Sequence, residues 1–320
     1  MESGMMRALS ASYDAATEAL GTMNLLRIEV VLAAIDYDDA APAVLEAARK
    51  LAEAAGAKLH VAHVDPPRGG TRAAGESDGG PSHSMLALLD HAKLERDSTG
   101  MHLIAGAPAE VIPDLADRLE ADVIVLGPHR ELRATEGRMG STALAIATAS
   151  RVPCLIVTHD MHLPLTRVLA PVDMSDTARG ALKVALSWSS ALRGADAPDR
   201  KKGSEKTCLI AIHVDDATRG ARRGAPAKPP LDDEVDQVRR EAGTWAGVSM
   251  QSETIPSDDV VETIADRARE EHVDLVVLGT RGAGRDRAGR LGSVSDAVMR
   301  RVDAPVLLVP PAVWTDVGSR

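Results

Sequence analysis

At 320 residues the chain is long for one average domain and fits two of about 150 residues each. Its 44% apolar and 26% charged content is ordinary for a globular protein, and its net charge of −10 argues against non-specific binding to DNA or RNA. With no Phe, two Tyr and three Trp, the cores must be built from Ala, Val, Leu and Ile, which suits parallel sheets covered on both faces.

In chain order, residues 1–25 read as an N-terminal extension. Glu2, Asp14 and Glu18 interrupt any apolar leader there, no stretch approaches the ~18 apolar residues of a membrane span, and the expected compartment is the cytoplasm. Residues 26–160 form a first predicted domain with strands near 28–35, 58–64, 100–104, 122–126 and 153–157. Its helices are expected near 39–55, 82–98, 108–119 and 141–150. A short hinge, His159 to Pro164, leads to a second domain over 165–312. Strands are expected there near 167–172, 207–214, 247–251, 273–278 and 305–309, and helices near 176–193, 231–246, 258–270 and 293–302. Alternating strands and helices imply a doubly wound parallel sheet in each half, with ligands collecting beyond the carboxyl ends of the strands. The Gly/Pro-rich stretches Pro66 to Pro81 and Arg219 to Pro230 read as loops.

The two halves are copies of one another. The apolar strand ending at Asp36 parallels the one ending at Asp173, at an offset of 137 residues. Val61-Ala62-His63-Val64-Asp65 matches Ala211-Ile212-His213-Val214-Asp215 at offset 150. Ile124-Val125-Leu126-Gly127 matches Val276-Val277-Leu278-Gly279, and Gly140-Ser141 matches Gly292-Ser293, at offset 152. With Val152-Pro153 and Leu155 matching Ala304-Pro305 and Leu307 at the same offset, five matches in one order, with offsets changing only in loops, indicate an internal duplication. The polar stretch Gly194 to Ser204 accounts for the largest step. The equivalent final strands, Val152 to Val157 and Ala304 to Val309, are expected to pair across a pseudo-twofold axis, and dimerisation of two chains is a further expectation.

The most informative feature is Gly279-x-x-Gly282, followed nine residues later by Gly292-Ser293, directly after the strand-like run Val273 to Leu278. Glycines there let backbone N–H groups close on an anion, and Gly292-Ser293 opens a helix whose free N–H groups favour phosphate. Arg281, Arg285, Arg287 and Arg290 lie in or beside the loop, available either to neutralise phosphate or to form a solvated face. No P-loop, G-x-G-x-x-G fingerprint, H-E-x-x-H, G-x-S-x-G or Cys/His metal cluster occurs. Cys154 and Cys208 sit in apolar runs and read as inert thiols, and His63 and His213 near strand ends read as packed histidines rather than catalytic bases.

Together the strand-Asp, the strand-His-Val and the Gly279/Gly282/Gly292-Ser293 pattern resemble the universal stress protein family in a tandem arrangement, over about residues 26–311. That resemblance implies two five-stranded α/β domains, adenine nucleotide alpha hydrolase-like with strand order 3-2-1-4-5, and in the motif-bearing subclass binding of ATP. Carried onto this chain, it implies that Pro171, Val172 and Asp173 lie beside adenine and ribose and that Val214 contacts the base. Gly279 and Gly282 would admit the phosphates with Arg281 beside them, while Gly292, Ser293 and Val294 would hold the outer phosphates. Mg²⁺ would be bound mainly through phosphate oxygens and water. The first half departs from the pattern: Arg130 stands where the second glycine belongs, before Gly140-Ser141-Thr142, and Ala34 replaces Pro171. Either that half is an empty copy, or Arg130 itself contacts phosphate. No general base stands near the glycine loop. A stress-responsive, ATP-binding regulator is therefore the leading expectation, ahead of a slow ATPase or a nucleotide-free interaction module.

Overall fold

A computed structural model describes residues 27–65, 80–94, 99–127, 141–193, 207–216, 230–242, 247–281, 291–311 and 313. The first half comprises β1 (Val30–Ala34), α1 (Ala41–Ala55), β2 (Lys58–Asp65), α2 (Gly80–His91), β3 (Gly100–Ala105), α3 (Pro108–Leu119), β4 (Val123–Leu126), α4 (Ser141–Ala149) and β5 (Cys154–Ile156). The second comprises β6 (Arg167–Pro171), α5 (Asp176–Ala191), β7 (Thr207–Asp215), α6 (Leu231–Ala242), β8 (Val248–Pro256), α7 (Val260–Glu270), β9 (Leu275–Gly279), α8 (Ser293–Met299) and β10 (Val306–Val309). All ten strands join one sheet in the order β3-β2-β1-β4-β5-β10-β9-β6-β7-β8, so each half runs 3-2-1-4-5 as the family resemblance implies.

Helices cover both faces, which explains why the central strands are apolar at successive positions. Val31, Leu32 and Ala33 are all fully buried; Val31 and Ala33 face the layer of α1, α2, α5 and α6, and Leu32 faces that of α3, α4, α7 and α8. Gly56 ends α1 in the left-handed region, φ 67°, with its N–H turned back to the carbonyls of the last turn. Two observed bounds differ from the expected ones for local reasons. Lys93 adopts φ 57°, so α2 stops at His91 instead of continuing to 98. β8 runs on to Pro256 because all nine of its residues pair with β7.

The halves are joined by the only antiparallel pairing among the ladders described here. Leu155 faces Leu307, while Cys154 faces Leu308 and Ile156 faces Val306. Leu155 and Leu307 occupy equivalent positions in the two copies, and the flanking pairs exchange equivalents, so the pairing is isologous within one chain. Thr158 adds a bond across the seam, its hydroxyl donating to the Ala304 carbonyl at 3.2 Å. Each half is also pinned at the opening of its central strands. Asp122 accepts from the N–H groups of Glu29 and Val30, and its counterpart Asp274 accepts from Thr166 and Arg167.

Candidate functional site

The strand order reverses between β6 and β9, and a crevice at the carboxyl ends of such strands is where α/β sheets take ligands. Pro171 is the last residue of β6, Val172 is buried, and Asp173 follows half-buried at the lip. Across from them Gly279 closes β9, with Arg281 exposed two residues on. The structure thus places Pro171, Val172, Asp173, Gly279 and Arg281 at the carboxyl ends of two neighbouring strands, β6 and β9. Val214 lies half-buried on β7, two residues beyond the last β6 ladder pair, Pro171 with Ile212. Gly282, Arg285, Arg287 and Arg290 lie outside the described residues, as do Arg130 and Gly140 of the first half.

Side chains around the glycines explain how the loop is held. A Cβ on Gly279 would stand 2.8 Å from Thr177 Cγ2 and 3.3 Å from both the Arg281 and Thr177 backbones, so the first turn of α5 rests directly on the end of β9. Ser295 Oγ donates to the Gly279 carbonyl at 2.7 Å from the first turn of α8. Gly292, expected to offer its N–H to the outer phosphates, donates it instead to the Thr280 carbonyl at 2.9 Å and so closes the base of the loop. As the N-cap of α8 it leaves Ser293, Val294 and Ser295 at the three positions whose N–H groups have no intrahelical acceptor. Ser293 is exposed and Val294 half-buried there.

Asp173 is oriented by its neighbour. Its Oδ1 accepts from Ser175 N–H at 3.1 Å and Ser175 Oγ at 2.5 Å, while Ser175 itself caps α5 by accepting from Ala178 N–H. His213 Nδ1 lies 2.7 Å from the Val172 carbonyl and ties the end of β7 to the turn after β6. His63 does the same in the first half, 3.1 Å from the Ile35 carbonyl, and is 5% exposed. Both rings therefore hold strand ends together. Ser175, Thr177, Thr280 and Ser295 were missed as site residues in the sequence. Only Ser175-Asp176, an N-cap pair before an apolar-periodic helix, carried a local signal.

The corresponding crevice of the first half is a cavity of about 300 Å³ lined by residues that include Ile35, Asp36, Asp38, His63, Gly127 and Thr142. Here a Cβ on Gly127 would meet Val44 Cγ2 at 2.9 Å and Ala40 Cβ at 3.3 Å. Ala40 and Thr177 are counterparts, so both halves pack a helix start onto the glycine that ends the fourth strand. Tyr37 stacks on His63 with ring centroids 4.0 Å apart, and burial, then Asp65 and Asp36, pushes its phenol up to about 12.

Among the described residues no three His, Cys, Asp or Glu side chains group as a metal site. No helix among the described residues is long and apolar enough to cross a membrane.

Residues 27–158 and 164–310 each match the profile of the Universal stress protein family. The chain belongs to that family. It is similar to Universal stress protein E of Escherichia coli strain K12, 30% identical over 93 residues, covering 29% of this chain and 27% of that protein. A Thermus aquaticus universal stress protein, from the 3′ region of a QAH/OAS sulfhydrylase, is 37% identical over 75 residues, covering 23% of this chain and 55% of its own length. The matched segments thus span about a quarter and about half of these relatives. A solved universal stress protein from Archaeoglobus fulgidus DSM 4304 superposes over 90% of this chain and 98% of its own, with TM-score 0.58 and 20% identity, a likeness of fold. Two tandem universal stress protein domains, joined in one sheet through their fifth strands, therefore occupy residues 27–158 and 164–310.

Proposed function

We propose that this universal stress protein is a stress-responsive regulator that binds ATP in the crevice of its second domain, between Asp173 and Gly279. One observation carries the reading: Pro171–Asp173 and Gly279 converge at the strand-order reversal, where Gly279 has no room for a side chain. Val172 and Val214 supply apolar surface for the base, and Asp173, steadied by Ser175, accepts from the ribose hydroxyls. The glycine loop and the N–H groups of Ser293 and Val294 receive the phosphates, with Arg281 countering their charge. Mg²⁺ supplies charge neutralisation through the phosphates, and no protein ligand to it is invoked. Among the described residues no water-positioning base stands beside Gly279, and the reading is of occupancy rather than turnover as the signal. Both fifth strands are used within the chain, so association of two chains would need another surface.

Calorimetric titration of the full chain with ATP tests this. One ATP per chain is expected, and Gly282→Arg, which installs the residue the first domain carries, should abolish binding with an unchanged circular dichroism spectrum. Unchanged affinity in that variant would contradict the assignment.

A further inference from the structure

The sheet ends in two edge strands, β3 and β8, and the two copies finish them differently. Gly106 N–H donates to the Asp65 carbonyl, and Ser257 N–H donates to that carbonyl's counterpart on Asp215. Backbone direction alternates along a strand, so the N–H and C=O groups of Met101, Leu103 and Ala105 turn away from β2. By the same alternation Met250, Ser252, Thr254 and Pro256 turn theirs away from β7. Matching the two ladders sets Met101 with Ser252, Leu103 with Thr254 and Ala105 with Pro256.

β8 is protected against further pairing. Pro256 has no N–H to offer, the Arg239 guanidinium of α6 donates to the outward Met250 carbonyl at 2.7 Å, and Ser252 Oγ donates to Asp232. By contrast Gly100–Ala105 contains no Asp, Glu, Lys, Arg or Pro. Met101 and Leu103 are the exposed large hydrophobic side chains among the described residues, at 43% and 42%. Both lie on the face of Val61, the α1 and α2 side, and Ala105 follows them there, also exposed. Three alternate residues thus present outward backbone groups and one apolar stripe together.

Such a strand is its own complement. About a two-fold axis through Leu103, a second β3 lies antiparallel to the first, with Leu103 opposite Leu103 and Met101 opposite Ala105. Those are the pairs whose outward groups can exchange hydrogen bonds, and their side chains fall on one face. The seam between β5 and β10 uses the same device within one chain, antiparallel and isologous, and β3 is the opposite edge of the first domain.

We propose that two copies of this chain associate through β3, so that two ten-stranded sheets continue into one. A second copy is preferred to residues 1–26 of the same chain, or to a peptide of another protein, because self-pairing satisfies two such edges at once with the side chains in hand. The contact uses no residue of the second domain's crevice and is independent of the ATP reading.

Sedimentation velocity of the full chain over micromolar concentrations tests this, and a monomer–dimer equilibrium is expected. Ala105→Pro removes an N–H that β2 does not use and installs the residue that β8 carries. It should weaken association about tenfold or more with an unchanged circular dichroism spectrum. Leu103→Lys sets two ammonium groups across the axis and should leave only monomer, whereas Thr254→Lys, the matching change on β8, should leave the dimer intact. Should the β3 variants unfold, hydrogen exchange on the unaltered chain reads the same contact, with protection of the Met101, Leu103 and Ala105 amides rising with concentration. A chain monomeric at every concentration would overturn the proposal, the result expected if residues 1–26 or a foreign peptide cover β3 instead. A dimer that survives both β3 variants, or one that Thr254→Lys breaks, would overturn it as well.

Discussion

The two domains share a sheet, a strand order and a histidine clamp, and they part company within a few residues of the strand ends. In the first, Tyr37 stacks on His63 and Asp38 faces the crevice; in the second, Met174 and Ser175 hold those places and Ser175 engages Asp173. The central strands β4, β5, β9 and β10 are aliphatic segments buried on both faces in either copy. Duplication preserved what packing needs and released what ligands touch, because a core position answers to many neighbours and a loop position to few.

The seam offers the most severe test of equivalence between the copies. Leu155 and Leu307 are fully buried and face each other, so truncating either to Ala should cost about 2–5 kcal/mol, with the two costs alike to about 1 kcal/mol. Urea unfolding of both variants measures this, and a large inequality would break the symmetry drawn here.

Smaller effects come from the two strand-end glycines. Gly279→Ala forces a methyl against Thr177 and against two backbone atoms, whereas Gly127→Ala meets only the side chains of Val44 and Ala40. The first should cost about 1–3 kcal/mol and the second less, since side chains yield more readily than main chain. Equal thermal shifts would show that both helix starts give way alike.

The smallest effect separates the domains by pH. His60 on β2 and His102 on β3 sit with ring nitrogens 3.0 Å apart, and their counterparts in the second half are Ile210 and Glu253. Burial first, then Lys58 for His60, and His60 with Arg118 for His102, pushes both imidazoles below their ordinary value. The unfolded chain therefore takes up protons first as pH falls through about 6.5. The pair's stabilisation is complete above that value and is lost on acidification until the folded rings protonate. His102→Gln should flatten the dependence of the urea midpoint between pH 7.5 and 5.5, and an unaltered slope would remove the pair as its cause.

Much of this was legible in the residues. The α/β class, the duplication, the 3-2-1-4-5 order and the fifth-strand pairing followed from repeated apolar runs, from the family resemblance and from two equivalent short strands. Periodicity is a local property, and a run such as Val273 to Leu278 is apolar at alternate and intervening positions alike because both faces are covered. The placement of Asp173 just past β6 and of Gly279 at the end of β9 was legible for the same reason.

Tertiary structure alone decided how those residues are held. That the Gly292 N–H closes onto Thr280, that Ser295 reaches back to Gly279, and that Thr177 leaves no space above it depend on segments from three elements meeting at one point. So does the meeting of His60 with His102, which are 42 residues apart and adjacent only through the β2–β3 register. The amino-acid order determines which surfaces are apolar and where the chain turns. Which polar atoms then find one another is settled by strand register and helix docking, whose distances no short stretch of residues encodes.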